Sequence, residues 1–394
     1  MKKYINTSIE IIMCILMVFN LTGCNGSREL NKISIVMGIG IDKGEDPNTV
    51  KTTIQVAKAS EIKGSSQSQG SGNKVDSTGY LNLTETRESI SEAVKAFNRK
   101  LNRELFFSHN QVIIFGDDAA RDGIRRYIDF FLRYRETRLL VWMLVAKGPA
   151  DRILDLKPPI EKTGAMSIGE LIRNQENVSQ IPTVDLKDFA SKLMSKTTAP
   201  VAPIVEVSKD DINKIAYLSE TAVFKKDKMV GTLNIMETRG LLWSTNGIRN
   251  GVVVISKPNY KENVNVKTTH AKSKMTTKIK DGKPIIKIEI KQEGDLQEQT
   301  SSEDFTNPKV FTMLENEEEN IIKKEVIAAV KKAKYLNADV FGFGDNIYQH
   351  YPKEWNKMQN NWNEIFKNIN VDVQVEAKIR RTGRITKPVM SKEQ

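Results

Sequence analysis

The first 24 residues constrain this chain more than any other stretch, because they decide which residues are left to fold and what can hold them together. Lys2 and Lys3 make a short positive start, and residues 11–19 form an unbroken apolar run bordered by Glu10. A membrane-spanning helix needs about 20 apolar residues. The run is too short for that and has the length of a secretory leader core. Leu21-Thr22-Gly23-Cys24 follows: an aliphatic residue, two small residues, a thiol. This is the lipobox pattern, in which small residues admit the signal peptidase and the thiol takes a diacylglyceryl group. Cleavage between Gly23 and Cys24 would leave Cys24 as an acylated N-terminus. The plain alternative is an ordinary leader with a chance cysteine behind it.

The thiol count follows from this reading. Cys14 leaves with the leader and Cys24 is spent on lipid, and the chain has no other cysteine. The mature protein is therefore expected to fold without a disulfide, and without a thiol nucleophile or a cysteine-based metal site. Removing 23 of 394 residues leaves 371, enough for two or three domains at roughly 100–200 residues each. No second apolar run is long enough to cross a bilayer. The formal net charge is +11, of which the leader contributes one through Lys2, Lys3 and Glu10. Such charge suits a solvated lysine-rich surface or attraction to an anionic membrane. Nucleic acid, its other usual partner, is not expected for a secreted chain.

Pattern along the chain predicts the fold class. Residues 33–41 read as a buried strand, residues 50–56 as an alternating one, and residues 80–83 as a third. Between them, residues 64–79 are rich in Ser, Gly and Gln and read as a flexible insert. Ser89-Ile90-Ser91-Glu92 fits a capping box opening a helix, with Ile90, Ala93, Val94, Phe97 and Leu101 on one face. A strand at 111–115, a helix through Ile124, Ile128 and Phe131, and a strand at 139–145 complete a mixed α/β alternation. Short helical pieces fill 149–194. Pro200 and Pro203 mark a boundary region, which places the main junction between residues 196 and 216. Hairpins are expected around residues 225–228 and around Asp281-Gly282, the stronger turn signal. Glu315, Glu317, Glu318 and Glu319 read as the start of a long helix, where negative charge suits the dipole. Ile322, Val326, Ala329, Val330 and Ala333 form its inner face. A further helix carries Trp355, Met358, Trp362 and Phe366, and Val371, Val373 and Val375 a last strand. The expected class is α+β and multi-domain. A mixed α/β region over 24–200, of one or two subdomains, precedes an antiparallel sheet with helices over 214–385 and a tail over 386–394.

Chemistry-bearing motifs are sparse. Gly38-Ile39-Gly40 follows a strand, but the third glycine of a dinucleotide loop is replaced by Lys43 and no helix follows. His109, His270 and His350 have no metal-ligand spacing. The apolar approach through Leu105, Phe106 and Phe107 makes His109 read as a packed core histidine, and His350 reads as surface. Trp355 and Trp362 read as core. No catalytic set, cofactor loop or metal set emerges. The residues alone lead to a membrane-anchored, extracytoplasmic, non-catalytic binding or interaction protein.

Several ordered motifs resemble the Ger(x)C family of spore germination lipoproteins, the C subunits of germinant receptors. They are Arg28-Glu29-Leu30-Asn31 with the run from Ile35 to Gly44, Leu105-Phe106-Phe107-Ser108-His109, Arg133-Tyr134-Arg135-Glu136-Thr137-Arg138, Ala222-Val223-Phe224-Lys225 with Met229-Val230-Gly231, Glu237-Thr238-Arg239-Gly240-Leu241-Leu242-Trp243, and Ala338-Asp339-Val340-Phe341-Gly342-Phe343-Gly344 with Tyr351-Pro352 and Trp355. Asn25-Gly26 departs from the Trp-Asp usual after the cysteine, which touches only the tether. The resemblance implies a lipid-anchored subunit on the outer face of the spore inner membrane. It would work with membrane-embedded A and B subunits in response to nutrient germinants, with no catalytic residues and no cofactor. Gly38, Gly40, Gly231, Gly240, Gly342 and Gly344 read as tight turns or close backbone approaches. The alternative of a different class is a solute-binding lipoprotein of a transporter, which needs two α/β lobes around a polar cleft.

Overall fold

The computed structural model describes residues 29–58, 79–209, 214–256, 263–300, 308–383 and 385. The 64–79 insert, apart from Gly79, lies outside them, as do the leader, Cys24 and the tail.

A large mixed sheet of nine strands organises the molecule. Strands β1 (Ile33–Lys43), β2 (Val50–Ala57) and β3 (Tyr80–Arg87) form an antiparallel meander. The short β4 (Glu104–Phe106) and then β5 (Val112–Phe115) pair parallel with β1. Next come β6 (Trp142–Ala146) and β7 (Val201–Val207), also parallel. Antiparallel β8 (Ala216–Lys225) and β9 (Lys228–Leu233) close the sheet. Parallel strands covered on both faces read as continuous apolar runs. In β5 this shows directly: Ile113 and Phe115 face one core cluster, Val112 and Ile114 the other.

Helices cover both faces. Helix α1 (Ile90–Lys100) starts at the expected Ser89 cap, whose hydroxyl accepts the Glu92 N–H at 3.3 Å. Helices α2 (Asp117–Asp122) and α3 (Arg125–Arg133) join α1 on the first face. Helices α4 (Ala150–Leu154) and α5 (Gly164–Arg173) cover the second. There β1 lies so close that a Cβ on Gly38 would stand 2.6 Å from the Ala165 methyl. Short α6 (Gln175–Val178) and α7 (Leu186–Met194) lead into β7. The stretch where the sequence suggests a junction thus runs from one strand of the large sheet to the next.

Beyond β9, α8 (Ile235–Ser244) leads to a four-stranded sheet of β10 (Gly251–Ser256), β11 (Asn263–Lys280), β12 (Lys283–Gln299) and β13 (Asn370–Arg381). Asp281 and Gly282 turn the β11–β12 hairpin with φ of 50° and 73°, the two positive angles of a type I′ turn. Strand β13 joins β12 parallel, after a crossover through α9 (Pro308–Leu336), α10 (Phe343–His350), α11 (Pro352–Met358) and α12 (Trp362–Asn368). One core cluster runs from α1 and α3 through β8 and β9 to α8, α9 and the inner face of the small sheet.

Helix α9 begins at Pro308, well before the acidic run, and its first turn holds no acidic residue. The expected dipole role of Glu315 to Glu319 is therefore corrected. Proline suits a first helical position, where its missing N–H costs nothing. The glutamates act elsewhere: Glu319 accepts the Ala377 N–H and Glu315 the Ile379 N–H, both at 3.1 Å. They occupy backbone donors on the open side of edge strand β13, groups that would otherwise invite pairing with another chain.

Candidate functional site

The signature residues of the second half build two joints. In the first, Asn234 opens α8 with a capping box to Glu237. Thr238 hydrogen-bonds Thr221 of β8 at 2.9 Å. At the next residue, Arg239 Nε donates to Glu325 of α9 at 2.8 Å and Arg239 Nη1 to the Val252 carbonyl at 3.1 Å. Trp243 Nε1 donates to the other Glu325 oxygen at 2.7 Å. A Cβ on Gly240 would stand 2.0 Å from the Glu325 carbonyl oxygen, so glycine sets how closely α8 and α9 meet. Burial raises the Glu325 carboxyl above its ordinary range, against the lowering effect of Arg239 and Trp243.

The second joint lies at 337–345. The Asp339 carboxylate accepts the N–H groups of Gly342, Phe343 and Gly344 at 2.9, 3.0 and 2.8 Å. Its carbonyl accepts the Ala199 N–H at 2.8 Å. Burial pushes the Asp339 carboxyl up to about 7, although the three backbone donors lower it. Asp345, just inside α10, accepts the hydroxyls of Ser195, Thr197 and Thr198 at 2.9, 2.6 and 2.5 Å. A Cβ on Gly344 would meet Thr197 at 2.6 Å. The segment entering β7 is thereby fastened to the second half of the chain.

Beside this latch a cleft of about 800 Å³ opens between α3, the end of α7, the β8–β9 turn and α12. Its charge is mainly positive: Arg125, Lys192, Lys196, Lys225 and Lys226 against Asp129, Asp227 and the enclosed Asp339. Burial lowers the Lys192 and Lys225 ammonium groups, and for Lys225 the nearby Lys367 and Lys226 add to the shift. The lining holds no histidine, and its three hydroxyls donate to Asp345. What the geometry offers is contact with a polar, anionic group, not an activated nucleophile. A second groove of about 580 Å³ runs along α5.

Two tandem descriptions match the chain: Spore germination protein N-terminal domain over residues 26–207, and Spore germination B3/GerAC like, C-terminal, over residues 219–383. The chain belongs to this spore germination family. Bacillus subtilis (strain 168) relatives span it almost end to end. Spore germination protein YndF is 30% identical, over 95% of this chain and 96% of its own. Spore germination protein KC is 27% identical, over 96% of each. The crystal structure of the GerBC protein superposes with a TM-score of 0.55 at 21% identity, over 87% of this chain and 96% of its own, so the two share a fold. The family places the chain in spore germination.

Within this germination-family fold, Cys24 and the Gly23–Cys24 bond lie outside the described residues. His109 is exposed, a correction to the packed core position expected for it. The chain turns at Phe107, whose carbonyl takes the Asn110 N–H. Phe107 is thereby buried, and the His109 ring is left outside, 5.7 Å from that of Phe106. His270, on β11, and His350, at the end of α10, are exposed as well. Trp355 and Trp362 are core residues, their rings 5.3 Å apart edge to face. Gly38, Gly40, Gly231, Gly240 and Gly344 are close approaches, and Gly342 takes a positive φ of 76°. Among the described residues no group of His, Cys, Asp and Glu could hold a metal, and no helix is long and apolar enough to cross a membrane. Glu325, Asp345 and the Ser195 cluster escape sequence reading, since each partner lies far along the chain and no local pattern marks the pairing.

Proposed function

We propose that the chain is a lipid-anchored, non-enzymatic subunit of a nutrient germinant receptor, held at the outer face of the spore inner membrane. Cleavage after Gly23 and acylation of Cys24 attach it. Two or more acyl chains hold a protein firmly where one does not. Its joints fix the two sheets as one body, as expected of a subunit that presents surfaces to membrane-embedded A and B subunits. The observation that carries this reading is the family match over both halves, starting two residues after the Leu21-Thr22-Gly23-Cys24 pattern. Mass spectrometry of the native protein tests the anchor: the N-terminal peptide is expected to begin at an acylated Cys24, and a free thiol or a retained leader contradicts it. Purification from detergent-solubilised spore membranes tests the assembly, which predicts that A and B subunits come down with the tagged chain. The solute-binding alternative calls for two like lobes, whereas a nine-stranded and a four-stranded sheet make unlike ones. Tight calorimetric binding of a nutrient by the isolated chain would favour it.

A further inference from the structure

The two edges of the large sheet present different side chains. Strands β1, β5, β6 and β7 are parallel, so their carboxyl ends share one edge and their amino ends the other. At the carboxyl edge Lys43 pairs with Asp122, Lys51 with Asp151, Arg121 with Asp117 and Lys147 with Glu206, while Arg152, Lys209 and Lys214 are exposed with no carboxylate partner among the described residues. The amino edge is built differently. The loop before β6 and helix α7 lie along it, joined by the Leu186 N–H to the Val141 carbonyl and the Lys187 N–H to the Leu139 carbonyl, both 2.9 Å. The β8–β9 turn belongs to the same edge, because β8 runs antiparallel to β7 with Val201 opposite Val223. Here Arg135, Arg138, Lys187, Lys196 and Lys226 are exposed, and none of them pairs with a carboxylate among the described residues. The neighbouring acids are partly occupied: Asp129 holds Arg133, and Glu136 accepts the Phe107 N–H. Asp188 and Asp227 remain.

The same edge exposes large apolar side chains. Leu140 is 69% exposed and Met194 75%, with Leu132 and Leu139 nearly half exposed. Exposed leucines among unpaired cations are the composition of a surface that rests in a headgroup layer. The cations gain from anionic lipid and the apolar tips from shallow insertion. Chain geometry leads to the same edge. Strand β1 starts there at Ile33, and from Cys24 to Glu29 the backbone can span at most about 18 Å, at 3.3–3.6 Å per residue.

We propose that the amino-end edge of the large sheet, through Arg138, Leu139, Leu140, Lys187 and Met194, docks on an anionic bilayer surface and sets the orientation of the anchored protein. The proposal rests on the lipid-anchor reading for its biological setting, yet it is testable without the acyl chains. The chain from residue 25 keeps every described element and contains no cysteine, so Leu140→Cys carries a single thiol for an environment-sensitive fluorophore. With vesicles of phosphatidylcholine and phosphatidylglycerol, its emission is expected to shift to the blue. The same label at Asp46→Cys, on an exposed turn of the opposite edge, is expected not to respond. Vesicles of phosphatidylcholine alone are expected to give no shift at either position. Arg138→Gln and Lys187→Gln should each weaken partitioning about fivefold, and high salt should abolish it. No binding to the anionic vesicles, an equal response from both labels, or binding unaffected by the two charge variants would overturn the proposal. An acylated Cys24 in the native protein together with a silent Leu140→Cys label keeps the anchor and removes the docking edge. A responding label with an unacylated Cys24 keeps the edge and removes the anchor.

Discussion

In the later turns of α9, Glu325 is buried with both oxygens occupied, one by Arg239 and one by Trp243. Two turns earlier on the same helix, Glu318 is fully buried and neither oxygen has a hydrogen-bond partner among the described residues. The first region packs against α8, the second against the small sheet. Helical spacing explains how both arise. Residues four apart share a face, so Glu315 and Glu319 reach the edge of β13 together, while Glu318, Ile322 and Glu325 turn inward. A buried carboxylate with matched donors specifies a joint. One without donors stays in place only by holding its proton, and burial, with Glu315 and Glu319 nearby, pushes the Glu318 carboxyl up to about 8.

The contrast can be broken most severely at the joint. Glu325→Ala leaves Arg239 buried without its carboxylate and should cost about 3–5 kcal/mol in urea unfolding. The double variant Arg239→Met with Glu325→Met should recover most of that loss, since an apolar pair of similar volume replaces the ions. Gly240→Val places a branched side chain against the Glu325 carbonyl and should cost roughly 1–3 kcal/mol by overpacking. Glu318→Gln acts with the opposite sign. The folded pKa of Glu318 lies above its ordinary value of 4.5. Its contribution to stability is therefore full below pH 4.5 and lost as pH rises through about 8. The Gln variant should gain at least about 1 kcal/mol above pH 8, and its thermal midpoint should vary less between pH 4.5 and 8 than that of the parent. The smallest effect is expected from Glu319→Gln. The amide can still accept the Ala377 N–H, so the loss should be about 0.5 kcal/mol by denaturant titration.

The same helix shows what could be read from the sequence. The inner face of Ile322, Val326, Ala329, Val330 and Ala333 follows from 3.6-residue periodicity and is buried or nearly so. The start at Pro308 was legible in principle from proline's place in a first turn, but the dense acidic run drew the boundary towards itself. The use of Glu315 and Glu319 as acceptors for β13 was not legible, because it depends on a strand that begins more than fifty residues later. Arg239, Gly240 and Trp243 stood out as a motif, yet their partner is more than eighty residues away, and only the fold shows that they form a joint. His109 failed for a local reason. Its apolar approach ends in a buried Phe107, but the turn from Phe107 to Asn110 between two strands of the same direction leaves the His109 ring outside. The strand order of the large sheet, with β8 and β9 completing it beyond the expected junction, is likewise a tertiary fact that composition does not carry.

We propose that a single acylated residue, Cys24, keeps this germination-family protein at the spore membrane, where its joints hold it as one body. The direct measurement is the Cys24→Ala variant in spores from which redundant receptors have been deleted, fractionated and challenged with nutrient. The variant is expected in the soluble fraction, with nutrient germination largely lost and the wild-type chain restoring both. A Cys24→Ala chain that stays with the membrane and supports normal nutrient germination would contradict the account.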